Sequence, residues 1–296
     1  MIVLQVPTIN DGPHDFDRLF DLWNQVNGDR LTVVFDFSSC KFLQHNGVAF
    51  LGGLARLIEY RHGRVFFKWE TLLKKIYTNL GQNGFLAAFG FPKTAWRGNS
   101  VPYREDQFQD KNAIINYLKT RWIGHKWAQA HISEKLQDAM IGKVWEIYAN
   151  AFEHGLSPIG VTSCGQYYPD HQELKLTVVD FGIGIPANVR LHFDYDPRAR
   201  VLTAAKCLRW AFQRGNTTDT KDISRGVGLD LLKDFVKINK GRLDLFSHEG
   251  CARIDEKIDM VANQTNFFEG TLVNITLKCD ESFYHFSDET FEGPLF

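Results

Sequence analysis

The sequence lacks the cysteine pattern of a disulfide or zinc framework. Its five cysteines, Cys40, Cys164, Cys207, Cys251 and Cys279, are odd in number, widely spaced and contain no C-x-x-C pair, which fits a reducing compartment. Charge of one sign is not in excess either. Lys plus Arg number 34 against 35 for Asp plus Glu, a formal net charge of -1, so nucleic acid is not indicated as a partner. No stretch approaches the ~20 apolar residues that cross a bilayer. The opening MIVLQVPTINDGP has no basic segment followed by a long apolar run, so no secretory leader is expected. A cytoplasmic protein with no membrane association is the expectation. Internal repeats and low-complexity tracts are also missing.

Aromatic residues, by contrast, are plentiful. The 24 Phe, 9 Tyr and 7 Trp, within an apolar fraction of 44%, exclude disorder as the main state. A chain of 296 residues has length for about two domains and can bury a core without staples.

The first ninety residues alternate between strand and helix patterns. Apolar runs at 2–6, 31–37 and 65–69 read as strands, and residues 16–26, 47–60 and 71–89 carry apolar side chains at helical spacing. Gly81 and Gly84 interrupt the last of these. Such alternation predicts an α/β domain over 1–95, followed by a connector over 96–130 in which 112–122 is helical and Val101-Pro-Tyr is extended. A second unit spans 131–280, with a tail at 281–296. Its long helix carries Leu136, Met140, Val144, Ile147, Tyr148, Ala151 and Phe152 on one side and ends at Gly155, where a left-handed cap suits glycine. Strands are expected at 174–181, 242–246 and 271–277, and helices at 204–213 and 228–237.

Three polar motifs interrupt these patterns. Glu146, Asn150 and His154 stand at i, i+4 and i+8 and so share a helix face. They either line the solvated side or serve chemistry, since an amide oxygen is a hard ligand for Mg²⁺ and a carboxylate can activate water. The run Val178-Val-Asp180-Phe-Gly182-Ile-Gly184 delivers an aspartate at a strand end and then two glycines. It is either a tight turn or a place where a carboxylate accepts an exocyclic amine and the backbone approaches a flat ring. Ser224-Arg225-Gly226-Val227-Gly228-Leu229 opens a helix with glycine-rich backbone, which can present N–H groups to phosphate. Residues 215–221 before it are polar, either a plain linker or a lid.

In this order and at these spacings the motifs resemble the ATPase domain of the gyrase, heat-shock chaperone, histidine kinase and mismatch-repair superfamily, the GHKL or Bergerat-fold type. Glu146-x-x-x-Asn150-Ala-x-x-His154-Gly155 is similar to its asparagine motif. Asp180-x-Gly-x-Gly184 and Arg225-Gly-Val-Gly-Leu229 are similar to its two glycine motifs, and Gly270-Thr271 to a further element. The resemblance implies a two-layer α/β sandwich with a mixed sheet that binds ATP and Mg²⁺. Asn150 would hold the metal and Glu146 would act as the catalytic base. Asp180 would take the adenine amine, Gly182 and Gly184 would shape the pocket, and Gly226, Val227, Gly228 and Leu229 would cradle phosphates. Thr271 would support the adenine end. Ser224 stands where many members have a third glycine. His125 and His131 lack the acidic and proline surroundings of a phospho-accepting box, which argues against a sensor kinase.

The amino-terminal unit is similar to the domain shared by sulfate transporters and anti-sigma-factor antagonists (STAS-like), through Val33-Val-Phe-Asp36-Phe, Phe42-Leu-Gln-His-Asn-Gly47 and Gly63-Arg-Val-Phe-Phe. Those antagonists are switched by serine phosphorylation just before the glycine; here that loop is Gln44-His45-Asn46. Together the resemblances imply a regulatory ATPase or serine-kinase-like protein of the anti-sigma type. It would bind a protein partner through its first domain, and a homodimer is a separate expectation. The alternative is a nucleotide-controlled interaction switch with negligible catalysis.

Overall fold

The computed structural model of the chain describes residues 1–96, 99–213 and 228–289. Its amino-terminal unit runs β1 (Ile2–Gln5), α1 (Pro13–Gln25), β2 (Thr32–Asp36), α2 (His45–Tyr60), β3 (Arg64–Lys68), α3 (Lys74–Gln82) and α4 (Phe85–Ala88). The three strands pair in parallel in the order β1-β2-β3, as strands joined by helical crossovers do. Gly84, at φ +89°, separates α3 from α4. Only glycine adopts that conformation freely, so the interrupted helix is a break between two short ones.

The remaining elements are β4 (Ser100–Asp106), α5 (Lys111–Tyr117), α6 (Lys126–His131), α7 (Glu134–Glu153), β5 (Val161–Tyr168), β6 (Glu173–Asp180), α8 (Gly184–His192), α9 (Ala204–Ala211), α10 (Gly228–Ile238), β7 (Arg242–Asp255) and β8 (Asp259–Lys278). A π-helical turn, Leu118–Trp122, continues α5. The five strands form one sheet in the order β4-β5-β6-β8-β7. Every pairing in it is antiparallel, so the expected mixed sheet is corrected: hairpins, not crossovers, link β5 to β6 and β7 to β8. Residues 100–106, read as connector, supply an edge strand of this sheet.

The helix expected to end on a left-handed glycine also needs correction. Ser133 caps the start of α7, its Oγ accepting the Leu136 N–H at 3.3 Å. At the other end the left-handed residue is Leu156, at φ +52°. Gly155 is required for a different reason, since a Cβ there would lie 2.5 Å from the Ala151 carbonyl oxygen.

The sheet is covered on both faces. On one, α5, the π-turn, α7 and α10 pack over Leu174, Leu176, Val178, Leu243, Val273 and Ile275. On the other, α1 and α2 lie between the five-stranded sheet and the small parallel one, giving a β/α/β/α stack. The two units are therefore joined through a shared core. Two glycines in the middle of α2 make the approach possible. A Cβ on Gly52 would lie 2.1 Å from the Tyr103 hydroxyl, and one on Gly53 would lie 2.3 Å from Phe181 Cε2.

One half of this interface is aromatic, with Phe50 and Phe268 in ring contact with each other and each with both Phe20 and Phe181. The other half is polar and sealed. Lys175 pairs with Asp11 and Glu173, and Arg242 with Asp11 and Asp244. Asn274 donates to Asp244 at 3.3 Å, and its Oδ1 accepts from Thr177 Oγ1 at 2.7 Å and from His45 Nε2 at 3.1 Å. That contact sets the His45 tautomer, leaving Nδ1 to accept from the Tyr168 hydroxyl at 3.2 Å. Burial pushes His45 down to about 3, so it is neutral. The segment Gln44-His45-Asn46-Gly47, the cap and first turn of α2, is buried, His45 against the sheet and Asn46 against its own unit, where it donates to the Asn10 carbonyl at 2.7 Å.

Candidate functional site

Asp180 ends β6 with 5% of its surface exposed. One carboxylate oxygen accepts the Gly182 N–H at 2.9 Å. Thr271, its register partner on β8, adds further hydrogen bonding. Among the described residues no cation pairs with it. Burial accordingly pushes the carboxyl up to about 7, against the lowering effect of the Gly182 and Thr271 hydrogen bonds. A buried acid with donors on one side and no counter-charge is costly to the fold and marks a candidate site.

The loop leaving Asp180 is held at four successive points. The Phe181 N–H donates to Ser157 Oγ at 3.3 Å and the Ile183 N–H to the Gly155 carbonyl at 2.7 Å. The Ile185 N–H donates to Ser247 Oγ at 2.9 Å, and His248 Nε2 lies 2.8 Å from the Ile183 carbonyl. Ser247 in turn donates to the Gly270 carbonyl at 2.9 Å and lies 3.3 Å from Thr271 Oγ1. Burial lowers the His248 pKa, which keeps the ring neutral and able to donate to that carbonyl from Nε2.

Both motif glycines are explained by protein packing. A Cβ on Gly182 would lie 1.8 Å from the Gly155 carbonyl oxygen. Gly184 sits at φ +73°, and a Cβ there would lie 2.3 Å from the Glu269 carbonyl oxygen. Their immediate role is to bring the C-terminal end of α7 and the Glu269–Thr271 segment against the Asp180 loop.

The structure thus brings Asp180, Gly182, Gly184 and Thr271 together, with Gly155 linking them to α7. Glu146 and Asn150 lie on α7 one to three turns earlier. Asn150 is exposed at its side chain, while its carbonyl accepts from His154 and Gly155. Glu146 is half-buried and takes a 2.8 Å contact from Lys143 Nζ. Gly226 and Val227 lie outside the described residues. Gly228 and Leu229 begin α10, which packs alongside α7 on the same face of the sheet. Among the described residues no group of three or more His, Cys, Asp or Glu is placed to hold a metal on its own, and no helix is long and apolar enough to cross a membrane.

Three residues of this region escaped the sequence reading. Lys143 is visible as an i,i+3 partner of Glu146 once the helix is drawn. Ser247 and His248 were hidden because β7 extends well beyond residue 246, with register shifts at Ser247/His248 and at His248/Gly250.

No protein-family model and no curated protein sequence matches this chain.

Proposed function

We propose that this chain is a regulatory protein that binds Mg-ATP and hydrolyses it or transfers its γ-phosphate to a protein hydroxyl. The observation that carries the reading is Asp180, a buried carboxyl held by Gly182 and Thr271 and lacking a cationic partner among the described residues. An acceptor of that kind is suited to an uncharged N–H donor such as an exocyclic amine, because pairing with one satisfies the group without adding a charge. Thr271 and Ser247 set the edge of the acceptor, Gly182 lets the floor lie close to the end of α7, and Gly184 lets it lie against Glu269 of β8.

The exposed Asn150 amide is a hard oxygen donor of the sort Mg²⁺ takes alongside phosphate oxygens. Bound Mg²⁺ would neutralise charge on the transferring phosphoryl group. Glu146, one turn before Asn150, is the group that would orient or deprotonate the attacking water or hydroxyl. The first turn of α10 supplies backbone N–H groups and the positive end of a helix dipole for phosphate.

A second reading, a nucleotide-controlled switch without turnover, is favoured by one contact. Glu146 is engaged by Lys143 at 2.8 Å, so it must release that partner before it can serve as a base. The experiment that separates the two measures ATP binding and ADP release by the full chain with Mg²⁺, beside Asn150→Ala. ADP release that the substitution abolishes supports the catalytic reading. Binding without release selects the switch, and failure of the wild type to bind any adenine nucleotide overturns both.

A further inference from the structure

The Asp180 loop is built against the amino-terminal unit. Phe181, the next residue, turns away from the helical face and enters the aromatic half of the interface. Its ring lies 5.3 Å from that of Phe50 on α2 and 5.4 Å from that of Phe268 on β8, and those two rings lie 5.2 Å apart. Phe268 also stacks on Phe20 of α1 at 5.2 Å. The same edge of Phe181 abuts Gly53, where no Cβ fits, and Thr162 Oγ1 beside it donates to the Ala49 carbonyl of α2 at 2.9 Å.

A parallel link reaches the other wall. Asn24 of α1 donates to the Phe267 carbonyl at 3.2 Å, and the Phe267 ring lies 5.0 Å from His248, whose Nε2 holds the Ile183 carbonyl. Phe268 and Thr271 are three residues apart on β8, so the ring that packs on α1 and the side chain that supports Asp180 ride on one strand.

From these contacts we infer that α2 is a positioning element for the Asp180–Gly184 loop, acting through the Gly53–Phe181 contact, so that seating of the amino-terminal unit and occupancy of the Asp180 site are coupled. Packed interiors pass on displacement because they have no room to absorb it. Coupling of this kind is reciprocal: a ligand that orders the loop tightens α2 on the sheet, and a partner that lifts α2 loosens the loop. The nucleotide identity of the ligand rests on the function proposed above; the mechanical coupling does not.

Gly53→Ala places a methyl 2.3 Å from Phe181 Cε2, and the ring must move. Amide exchange over 181–185 is then measured by mass spectrometry without nucleotide, since the Phe181, Gly182, Ile183 and Ile185 N–H groups are tied by the bonds described above. About tenfold faster exchange is expected in Gly53→Ala, returning part of the way toward wild type in Gly53→Ala/Phe181→Leu, where the clashing ring edge is gone and the 2.9 Å approach to Thr162 Oγ1 remains. Phe50→Leu, which trims the other contact of α2 with Phe181 without a clash, accelerates exchange in the same direction. Leu4→Ala, in the small parallel sheet, is the comparison for general loss of stability and leaves the loop slow at temperatures well below its melting point. An ATP titration is run in parallel, with about tenfold weaker binding expected for Gly53→Ala.

Unchanged exchange in both Gly53→Ala and Phe50→Leu overturns the inference. So does equal acceleration in Leu4→Ala, or failure of Phe181→Leu to rescue. If the wild type binds no nucleotide, the functional proposal fails while the exchange result still decides the coupling.

Discussion

Replacing Asp180 by Asn tests whether this carboxyl is kept for a ligand at the expense of the fold. The unfolded-state pKa is 3.8 and burial raises the folded value to about 7. A group whose folded pKa is raised binds its proton more tightly in the native state. Its contribution is most favourable below pH 4, falls as pH rises through the window from 4 to 7, and levels off above it. A shift of about three units at 1.36 kcal/mol each corresponds to a loss on the order of 4 kcal/mol at pH 8.

Asn is nearly isosteric and keeps an oxygen that can accept the Gly182 N–H, but it carries no charge to bury. Asp180→Asn is therefore expected to be more stable than wild type at pH 8, by roughly 2–4 kcal/mol after discounting weaker hydrogen bonds, and to lose the decline between pH 5 and 7. Urea unfolding of both proteins at pH 5, 6, 7 and 8 reads this directly, and an adenine-nucleotide titration on the same samples is expected to show lost binding. A variant less stable than wild type at pH 8, with the same pH profile, would refute the reasoning. It would mean that Asp180 is stabilised as an anion by its donors.

Other outcomes follow from the same contacts. Glu146→Ala is expected to retain nucleotide binding and lose most ADP release; equal turnover in mutant and wild type removes Glu146 from the chemistry. Gly182→Ala drives a methyl into the Gly155 carbonyl and is expected to cost about 2–3 kcal/mol in urea unfolding, with the Asp180–Gly182 turn displaced. A stability loss under about 0.5 kcal/mol would show that this close approach relaxes freely.

Some of the architecture was legible because periodicity reports burial. Residues 136–152 show a helical stripe, and α7 buries Leu136, Met140, Val144, Tyr148 and Ala151 along it. The strand over 174–181 was legible from its β-branched run. β5 was not, although Val161 to Gly165 are all buried like the residues of β6: its run Val161-Thr-Ser-Cys-Gly165 is small and polar, and such residues are buried here by long-range partners, as where Thr162 Oγ1 donates to the Ala49 carbonyl of α2, so hydropathy carries no strand signal. The distal halves of β7 and β8 escaped because their polar residues and register shifts carry no steady period.

Around Asp180, Gly182 and Gly184 were marked as places where backbone comes close to a flat ring, and in the structure it is protein backbone that lies against them. What approaches them, Gly155 and Glu269, lies 27 and 85 residues away in sequence, and no local pattern can specify such a contact. The α/β character of the first unit, the long helix with its polar line and the Asp180-x-Gly-x-Gly184 element depend on spacing along the chain and can be read from it. That the two units share one core, that His45 is buried against the sheet, and that Phe181 ties the Asp180 loop to α2 depends on contacts between distant segments. Amphipathic spacing shows that a face must be buried. Which surface covers it depends on shape and charge matching between distant segments, here two glycines admitting Tyr103 and Phe181 and a neutral His45 bridging Tyr168 to Asn274.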